Sequence, residues 1–364
     1  MFALKDLLAK AVEVGASDLH LKVNQKPFLR LHGHLTETAF PVVTVADLDA
    51  AIAEVMPRHL AAQFGEQHEA DFSYHLHGIG RFRVNAFQTQ SVPSLAFRYV
   101  KTHIPCFEEL NLPPTLKKLA AVPRGIIVIS GATGSGKSTT LAAVMEEMNI
   151  TERLRIITIE DPVEYMFVDK QCIVSQREVG LDTLSFQAAL RHIMRQDPDV
   201  IVIGEMRDLL SFKTALTAAE TGHIVMTTLH SGTASAAILR MLQLFPSNEW
   251  EQTRMSIAAN LQAVVCQRLV RATQGGVVPA VEIMFNTPIV RKMIEADRLE
   301  ILPAAIETGT EDGMQTFNQA LYKLIKAGTI TQDEGMQHAG NPAALRMNLQ
   351  GIFLDEARRI LGTT

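Results

Sequence analysis

The chain has 364 residues, 47% of them apolar, and at roughly 150 residues per domain this length predicts two or three domains and excludes a disulfide-stapled miniprotein. The 34 Lys and Arg against 39 Asp and Glu leave a net charge of −5, too mild for general affinity toward nucleic acid or a membrane surface, though a local basic patch stays open. Cys106, Cys172 and Cys266 lie far apart with no CxxC pair, so neither a disulfide framework nor a cysteine zinc site is expected, and a reducing compartment fits.

Lys5, Asp6 and Lys10 interrupt any apolar run at the N-terminus, which argues against a signal peptide. No stretch reaches the roughly 18 apolar residues of a membrane span, so a soluble cytoplasmic chain is expected. Leu4, Leu7, Leu8, Ala11 and Val12 recur at helical spacing from Phe2 to Val14 and stop at Gly15, a natural residue after a helix end. Leu19, Leu21 and Val23 then alternate with polar residues, and an extended segment follows from Phe28 to Leu35 around Gly33. Thr44 caps a helix running to Met56, and Pro57 opens a shorter one. Three more β-like runs, Asp71–Leu76, Gly80–Gln88 and Ser94–Val100, complete a small α+β domain over residues 1–100.

Residues 101–114, with Pro105, Pro113 and Pro114, read as a linker. Beyond it, apolar strands at Gly125–Ser130, Arg155–Ile159, Val200–Gly204, Ile224–Leu229 and Val277–Ile283 alternate with helices near Ser138–Asn149, Leu184–Gln196, Leu209–Thr221 and Trp250–Leu269. That alternation predicts an α/β domain over residues 115–364, with a parallel sheet covered on both faces. From about 288 to 364 the chain reads as helical, with Thr331-Gln-Asp-Glu334 matching a capping box. Ile289, Met293 and Ile294 share a stripe there, leaving Arg291 and Glu295 on a neighbouring, more exposed face at i,i+4. Aromatic residues are 6% of the chain with a single Trp250, little material for stacking on single-stranded nucleic acid.

Gly131-Ala-Thr-Gly-Ser-Gly136-Lys137-Ser138 fits GxxxxGK[ST] between an apolar strand and a helix, the context of a P-loop. The nucleotide-binding set is Gly131, Thr133, Gly134, Ser135, Gly136, Lys137, Ser138 and Thr139. Glycines let the backbone curl so that N–H groups face phosphate oxygens, Lys137 reaches the β/γ-phosphates of ATP, and Ser138 ligates Mg2+. Asp199-Val-Ile-Val-Ile-Gly204-Glu205 supplies an apolar strand ending in a carboxylate, so Glu205 is assigned to the metal or its water shell. Glu160-Asp-Pro-Val-Glu164 follows another buried strand and offers a general base, although the same residues also suit a solvated turn. His230 follows a strand at the edge where phosphates would lie, while His223, preceding that strand, is the weaker candidate for the nucleotide. Arg81 and Arg83 share one strand face, and Arg98 lies on a later strand of the same small sheet; periodicity alone favours a solvated sheet face for them.

Taken together, these motifs resemble the secretion ATPases of the type II/type IV pilus class, and most closely the PilT/PilU-type twitching-motility motors. The likeness rests on Gly15-Ala-Ser-Asp-Leu-His-Leu21, Gly80-Arg-Phe-Arg-Val-Asn85, the P-loop, Ile157-Thr-Ile-Glu-Asp-Pro-Val-Glu164, Gly204-Glu-Met-Arg-Asp208, Gly222-His223 to Thr228-Leu-His230, and Gly313-Met-Gln-Thr-Phe317. The resemblance implies a PAS-like N-terminal domain, a RecA-like ATPase core and a homo-hexameric ring. In that ring Arg81, Arg83 and Arg98 of one subunit complete a neighbour's site. It further implies that Glu160 or Glu164 is the base, that Glu205 is the Walker B acid, and that His230 couples the γ-phosphate to domain movement. The expected partners are an inner-membrane pilus platform protein and a paralogous pilus ATPase, with the ring peripheral to the inner membrane and no nucleic acid bound.

No four-cysteine insertion lies between Gln267-Arg-Leu269 and Pro279, which favours the retraction branch over pilus-assembly ATPases. Retraction motors carry AIRNLIR where this chain has Ile289-Val-Arg-Lys-Met-Ile-Glu295. The final Arg is thus replaced by Glu295, and a principal or an accessory motor both stay open. A RecA-like nucleic-acid translocase and an ATP-binding regulator without turnover are the readings from other classes.

Overall fold

The computed structural model describes residues 3–31 and 33–352, so the end of the expected C-terminal helical region, 353–364, lies outside the described residues. Two compact units divide the chain. The first is the segment up to His103 together with Val163–Met166 and Gly180–Asp182, and the second comprises the rest.

In the first unit the elements are α1 (Leu4–Glu13), β1 (Asp18–Lys22), β2 (Phe28–Leu31), β3 (His34–Glu37), α2 (Val45–Val55), α3 (Arg58–Gln67), β4 (Glu69–Leu76), β5 (Gly80–Thr89) and β6 (Val92–Val100). They form an antiparallel sheet of order β3-β2-β1-β6-β5-β4. The extended run expected around Gly33 is a hairpin: Gly33, at φ 86°, turns the chain so that Phe28 lies opposite Glu37. Thr44 caps α2 reciprocally with Asp47. Leu7, Leu8, Leu19, Leu21, Phe82, Val84 and Phe97 fill the core. Arg81, Arg83 and Arg98 therefore project from the other face of β5 and β6.

The second unit contains β7 (Gly125–Ser130), α4 (Lys137–Thr151), β8 (Arg155–Glu160), β9 (Ile173–Glu178), α5 (Phe186–Ile193), β10 (Val200–Ile203), α6 (Leu209–Glu220), β11 (Ile224–Leu229), α7 (Ala234–Gln243), α8 (Trp250–Asn260), β12 (Leu261–Arg271) and β13 (Val277–Phe285). Five short helices follow: α9 (Pro288–Glu295), α10 (Leu302–Thr308), α11 (Phe317–Lys326), α12 (Gln332–His338) and α13 (Pro342–Leu349). The sheet order is β13-β12-β7-β11-β10-β8-β9, parallel throughout except β13. Ile126 and Val128 of β7 face one apolar core while Ile127 and Ile129 face the other, which is why the strand is an unbroken apolar run.

Four expectations are corrected. Trp250–Leu269 is not one helix: the chain leaves α8 at Asn260 and enters β12, where Val264 and Val265 are buried on opposite faces. A strand covered on both sides loses its period-2 alternation and reads like buried helix. β13 is antiparallel because a short turn after Arg271, not a crossover helix, connects it to β12. Thr331 does cap α12, but Glu334 completes no box; its Oε1 accepts the Arg271 N–H at 2.8 Å and faces His338 Nε2 at 3.2 Å. In α9 the buried stripe is Val290, Met293 and Ile294, with Ile289 60% exposed. Among the described residues no helix is long and apolar enough to cross a membrane.

Candidate functional site

At the C-terminal end of β7 the chain enters the glycine-rich loop. Gly131, Gly134 and Gly136 have φ of 150°, 76° and 86°. A Cβ at Gly131 would lie 2.5 Å from the Gln267 carbonyl oxygen, and one at Gly136 would lie 2.7 Å from Gln267 Nε2, whereas Gly134 faces open space. Close approach of backbone thus requires glycine at 131, a hydrogen-bonded side-chain end crowds 136, and backbone conformation alone favours glycine at 134. Gly136 caps α4 without a side-chain hydrogen bond, so the first N–H groups of that helix need acceptors from elsewhere. Lys137 is nearly buried, and its Nζ donates to the carbonyls of Gly131 at 2.9 Å and Ala132 at 3.0 Å. An ammonium and a helix N-terminus converging on a glycine-rich loop form a cradle suited to phosphate. Thr133 is exposed on the loop, Ser135 is buried, and Ser138 and Thr139 are half-buried in the first turn of α4.

Because β8, β10, β11 and β7 are parallel neighbours, Glu160, Glu205, His230 and the loop all emerge at one edge of the sheet. Glu205 Oε2 accepts from Arg207 Nη2 at 2.7 Å, and Glu205 Oε1 faces His230 Nε2 at 3.3 Å. The Arg207 hydrogen bond holds the Glu205 carboxyl below its ordinary pKa against partial burial, with the Arg207 and His230 charges adding to it. Glu160 Oε1 accepts from Thr158 Oγ1 at 2.6 Å and from Gln176 Nε2 at 3.1 Å. His223 is not brought to the loop: the six-residue β11 separates it from His230, and its Nδ1 lies 3.0 Å from the Ala218 carbonyl oxygen at the end of α6.

Glu164 belongs to the first unit, with Tyr165 bridging to Lys101. Arg81 Nη1 donates to Met166 Sδ at 3.7 Å and Nη2 to Ser73 Oγ at 3.2 Å. Arg83 and Arg98 are cross-strand partners, but Arg98 Nε is paired with Asp18 Oδ1 at 2.8 Å, so the patch is partly neutralised. Burial works to raise the Asp18 pKa, yet hydrogen bonds from Ser17 and Arg98 and the Arg98 charge outweigh it and leave the carboxyl below its ordinary value.

The structure adds residues that motif reading passed over. Gln267 on β12 holds the phosphate loop from the neighbouring strand, donating to Ser135 O and accepting from Thr140 Oγ1, each at 2.7 Å. Ser130 Oγ accepts the Ser231 N–H at 2.9 Å, tying the end of β7 to the turn after His230. That turn is held again by Glu282 Oε1, which accepts the Ala234 N–H at 2.8 Å; burial pushes the Glu282 carboxyl pKa up. Arg268 stacks 4.0 Å from the Phe317 ring and donates to the His338 carbonyl at 2.6 Å. The available signal was a polar residue at or inside an apolar run, Gln267 directly after Ala263-Val-Val-Cys266 and Glu282 between Val281 and Ile283.

Residues 2–288 match the family model described as type II/IV secretion system protein. The chain belongs to the type II/IV secretion system protein family. Within this family it is 41% identical over 339 residues to the type IV pilus retraction ATPase PilT of Pseudomonas aeruginosa, covering 93% of this chain and 98% of that protein. It is 40% identical over 345 residues to the type IV pilus ATPase PilU of the same organism, covering 94% and 90%. A crystal structure of the pilus retraction motor PilT with bound ADP superimposes with a TM-score of 0.88 at 40% identity, covering 94% of this chain and 98% of that one. As a secretion-family chain it carries its glycine-rich loop, Glu205 and His230 in the second unit, on a parallel α/β core that extends into C-terminal helices.

Proposed function

We propose that this chain is an ATP-hydrolysing motor that works as a homo-hexamer at the cytoplasmic face of the inner membrane and drives type IV pilus retraction, and with it twitching motility. The observation that carries this reading is the phosphate cradle at one sheet edge with the Glu205–His230 pair, in a chain similar to PilT across nearly its whole length. Lys137 and the loop N–H groups bind the β- and γ-phosphates of the substrate. The Ser138 hydroxyl and the ionised Glu205 carboxylate are hard oxygen donors that suit Mg2+, directly or through water, and the ion would neutralise charge on the phosphates. Glu160 or Glu164 accepts the proton of the attacking water as the bond from the γ-phosphorus to the leaving ADP oxygen breaks. His230, in contact with Glu205, responds to loss of the γ-phosphate, and the guanidinium groups of Arg81, Arg83 and Arg98 stabilise the transition state in a neighbouring subunit's site.

Subunit mixing tests the shared site. Arg83→Ala chains doped with Lys137→Ala chains recover ATPase activity, because one interface type then holds both intact halves; confirmed mixed rings without recovery at any ratio refute it. The similarity to PilU supports a second reading, an accessory motor working beside a paralogue and the same platform protein. Piliated cells lacking the gene distinguish the two. Hyperpiliation with lost twitching marks the principal motor, and normal piliation with weak force marks the accessory one. Stimulation of turnover by DNA would instead indicate a translocase.

A further inference from the structure

Gln267 lies on β12, one strand over from β7, and its side chain is buried under the phosphate loop at 4% exposure. Both ends of its carboxamide are used. Nε2 donates to the Ser135 carbonyl and Oε1 accepts from the Thr140 hydroxyl, each at 2.7 Å. The two bonds straddle the start of α4, joining the last loop residue before the helix cap to the first helical turn. Gln267 also presses on the loop at two glycines, with its backbone oxygen against Gly131 and its Nε2 against Gly136.

A peptide unit is planar and trans, so the carbonyl of residue 135 and the N–H of residue 136 point in opposite directions. A donor that pulls the Ser135 oxygen toward β12 therefore turns the Gly136 N–H away from β12. Without that donor, the Ser135–Gly136 peptide, with glycine at 134 and 136 on either side of Ser135, has nothing from the sheet to fix its plane. We propose that Gln267 is a positioning residue for phosphate, setting the plane of the Ser135–Gly136 peptide through its carboxamide N–H. The proposal rests on the reading of this loop as the nucleotide site. It assigns to β12 a part in nucleotide affinity distinct from that of the loop's own motif residues.

The experiment uses the full chain and a fluorescent ADP as probe, with thermal unfolding of each nucleotide-free variant measured in parallel. Gln267→Met keeps the volume and removes both bonds, and Gln267→Leu removes both with a different apolar shape, so neither variant adds a charge beside the phosphate loop. Thr140→Val removes the Thr140 bond and leaves the Ser135 bond in place. Both Gln267 variants are expected to weaken ADP binding about tenfold, the loss of one well-made hydrogen bond's worth of preorganisation. The KM for ATP should rise in parallel while kcat falls less than about threefold. Thr140→Val is expected to lower the unfolding temperature yet keep ADP affinity within about twofold.

Equal weakening by Thr140→Val and Gln267→Met would mean a structural role and overturn the proposal, as would unchanged affinity in both Gln267 variants. If Gln267→Met fails to fold, Gln267→Leu against Thr140→Val still decides. Wild-type protein that does not bind ADP at all would instead overturn the nucleotide reading itself.

Discussion

Two loop glycines with similar positive φ should tolerate alanine very differently. Gly134 and Gly136 have φ of 76° and 86°, so each alanine pays the left-handed penalty of about 1–2 kcal/mol. At 134 the new methyl meets nothing within 4 Å, whereas at 136 it would lie 2.7 Å from Gln267 Nε2. Gln267 can withdraw only by lengthening its bonds to Ser135 and Thr140, each contributing about 1 kcal/mol net and more when a buried group is left unpaired. Gly136→Ala should therefore cost about 3–5 kcal/mol against about 1–2 kcal/mol for Gly134→Ala. At about 2–4 °C per kcal/mol, that difference is about 5–10 °C in Tm. Thermal unfolding without nucleotide measures it free of ligand linkage. In a Gln267→Ala background the clashing atom is gone, and the Gly136→Ala penalty should fall toward that of Gly134→Ala, a coupling of about 2 kcal/mol. Strict additivity of the two changes, or equal Tm values for the two glycine variants, would refute the reasoning.

Lys137→Ala should abolish ATP binding, and Glu205→Gln should keep ATP affinity within about threefold while lowering turnover about a hundredfold or more; equilibrium binding and steady-state kinetics check both. Arg207→Ala removes the hydrogen bond that lowers the Glu205 pKa, and Arg207 is 71% exposed, so screening keeps the stability loss under about 1 kcal/mol. A carboxyl lowered in the folded state stabilises above its unfolded pKa of about 4.3 and loses that contribution as pH falls through the lowered value. The small Tm advantage of wild type over Arg207→Ala should thus be present near neutral pH and shrink in acid as the Glu205 carboxyl takes up its proton. Arg291 is exposed on α9 and makes no ion pair with Glu295 among the described residues; Arg291→Ala should leave ATPase activity and ring assembly near wild type and reduce twitching. Parallel loss of assembly would show a structural role instead.

The glycine-rich loop was legible because its spacing, the apolar strand before it and the helix after it agree on one local answer. The caps at Thr44 and Thr331 were legible for the same local reason. What escaped depends on neighbours remote in sequence. Arg98 finds Asp18 across the β1–β6 pair, 80 residues away, and nothing in the alternation of β5 and β6 announces that its charge is compensated. Gln267 was hidden twice, since β12 is buried on both faces and its partners Ser135 and Thr140 stand more than a hundred residues earlier. The acidic cluster read as one motif is divided by the fold, with Glu160 at the end of β8 and Glu164 in the other unit.

That division bears on how the molecule can be taken apart. The first unit is discontinuous: it recruits Val163–Met166, where Lys101 O accepts the Met166 N–H at 3.0 Å and Arg81 reaches Met166 Sδ, and also Gly180–Asp182. A fragment cut after His103 would retain Arg81 and Lys101 but lose the segment on which they rest. Chimeras that exchange the N-terminal segments of relatives at that point would likewise marry one protein's β5 arginines to another's Glu164 segment. Grafts that carry 163–166 and 180–182 with the N-terminal sequence keep the unit whole, and they are the exchanges in which a change of motor behaviour can be credited to the domain rather than to a broken seam.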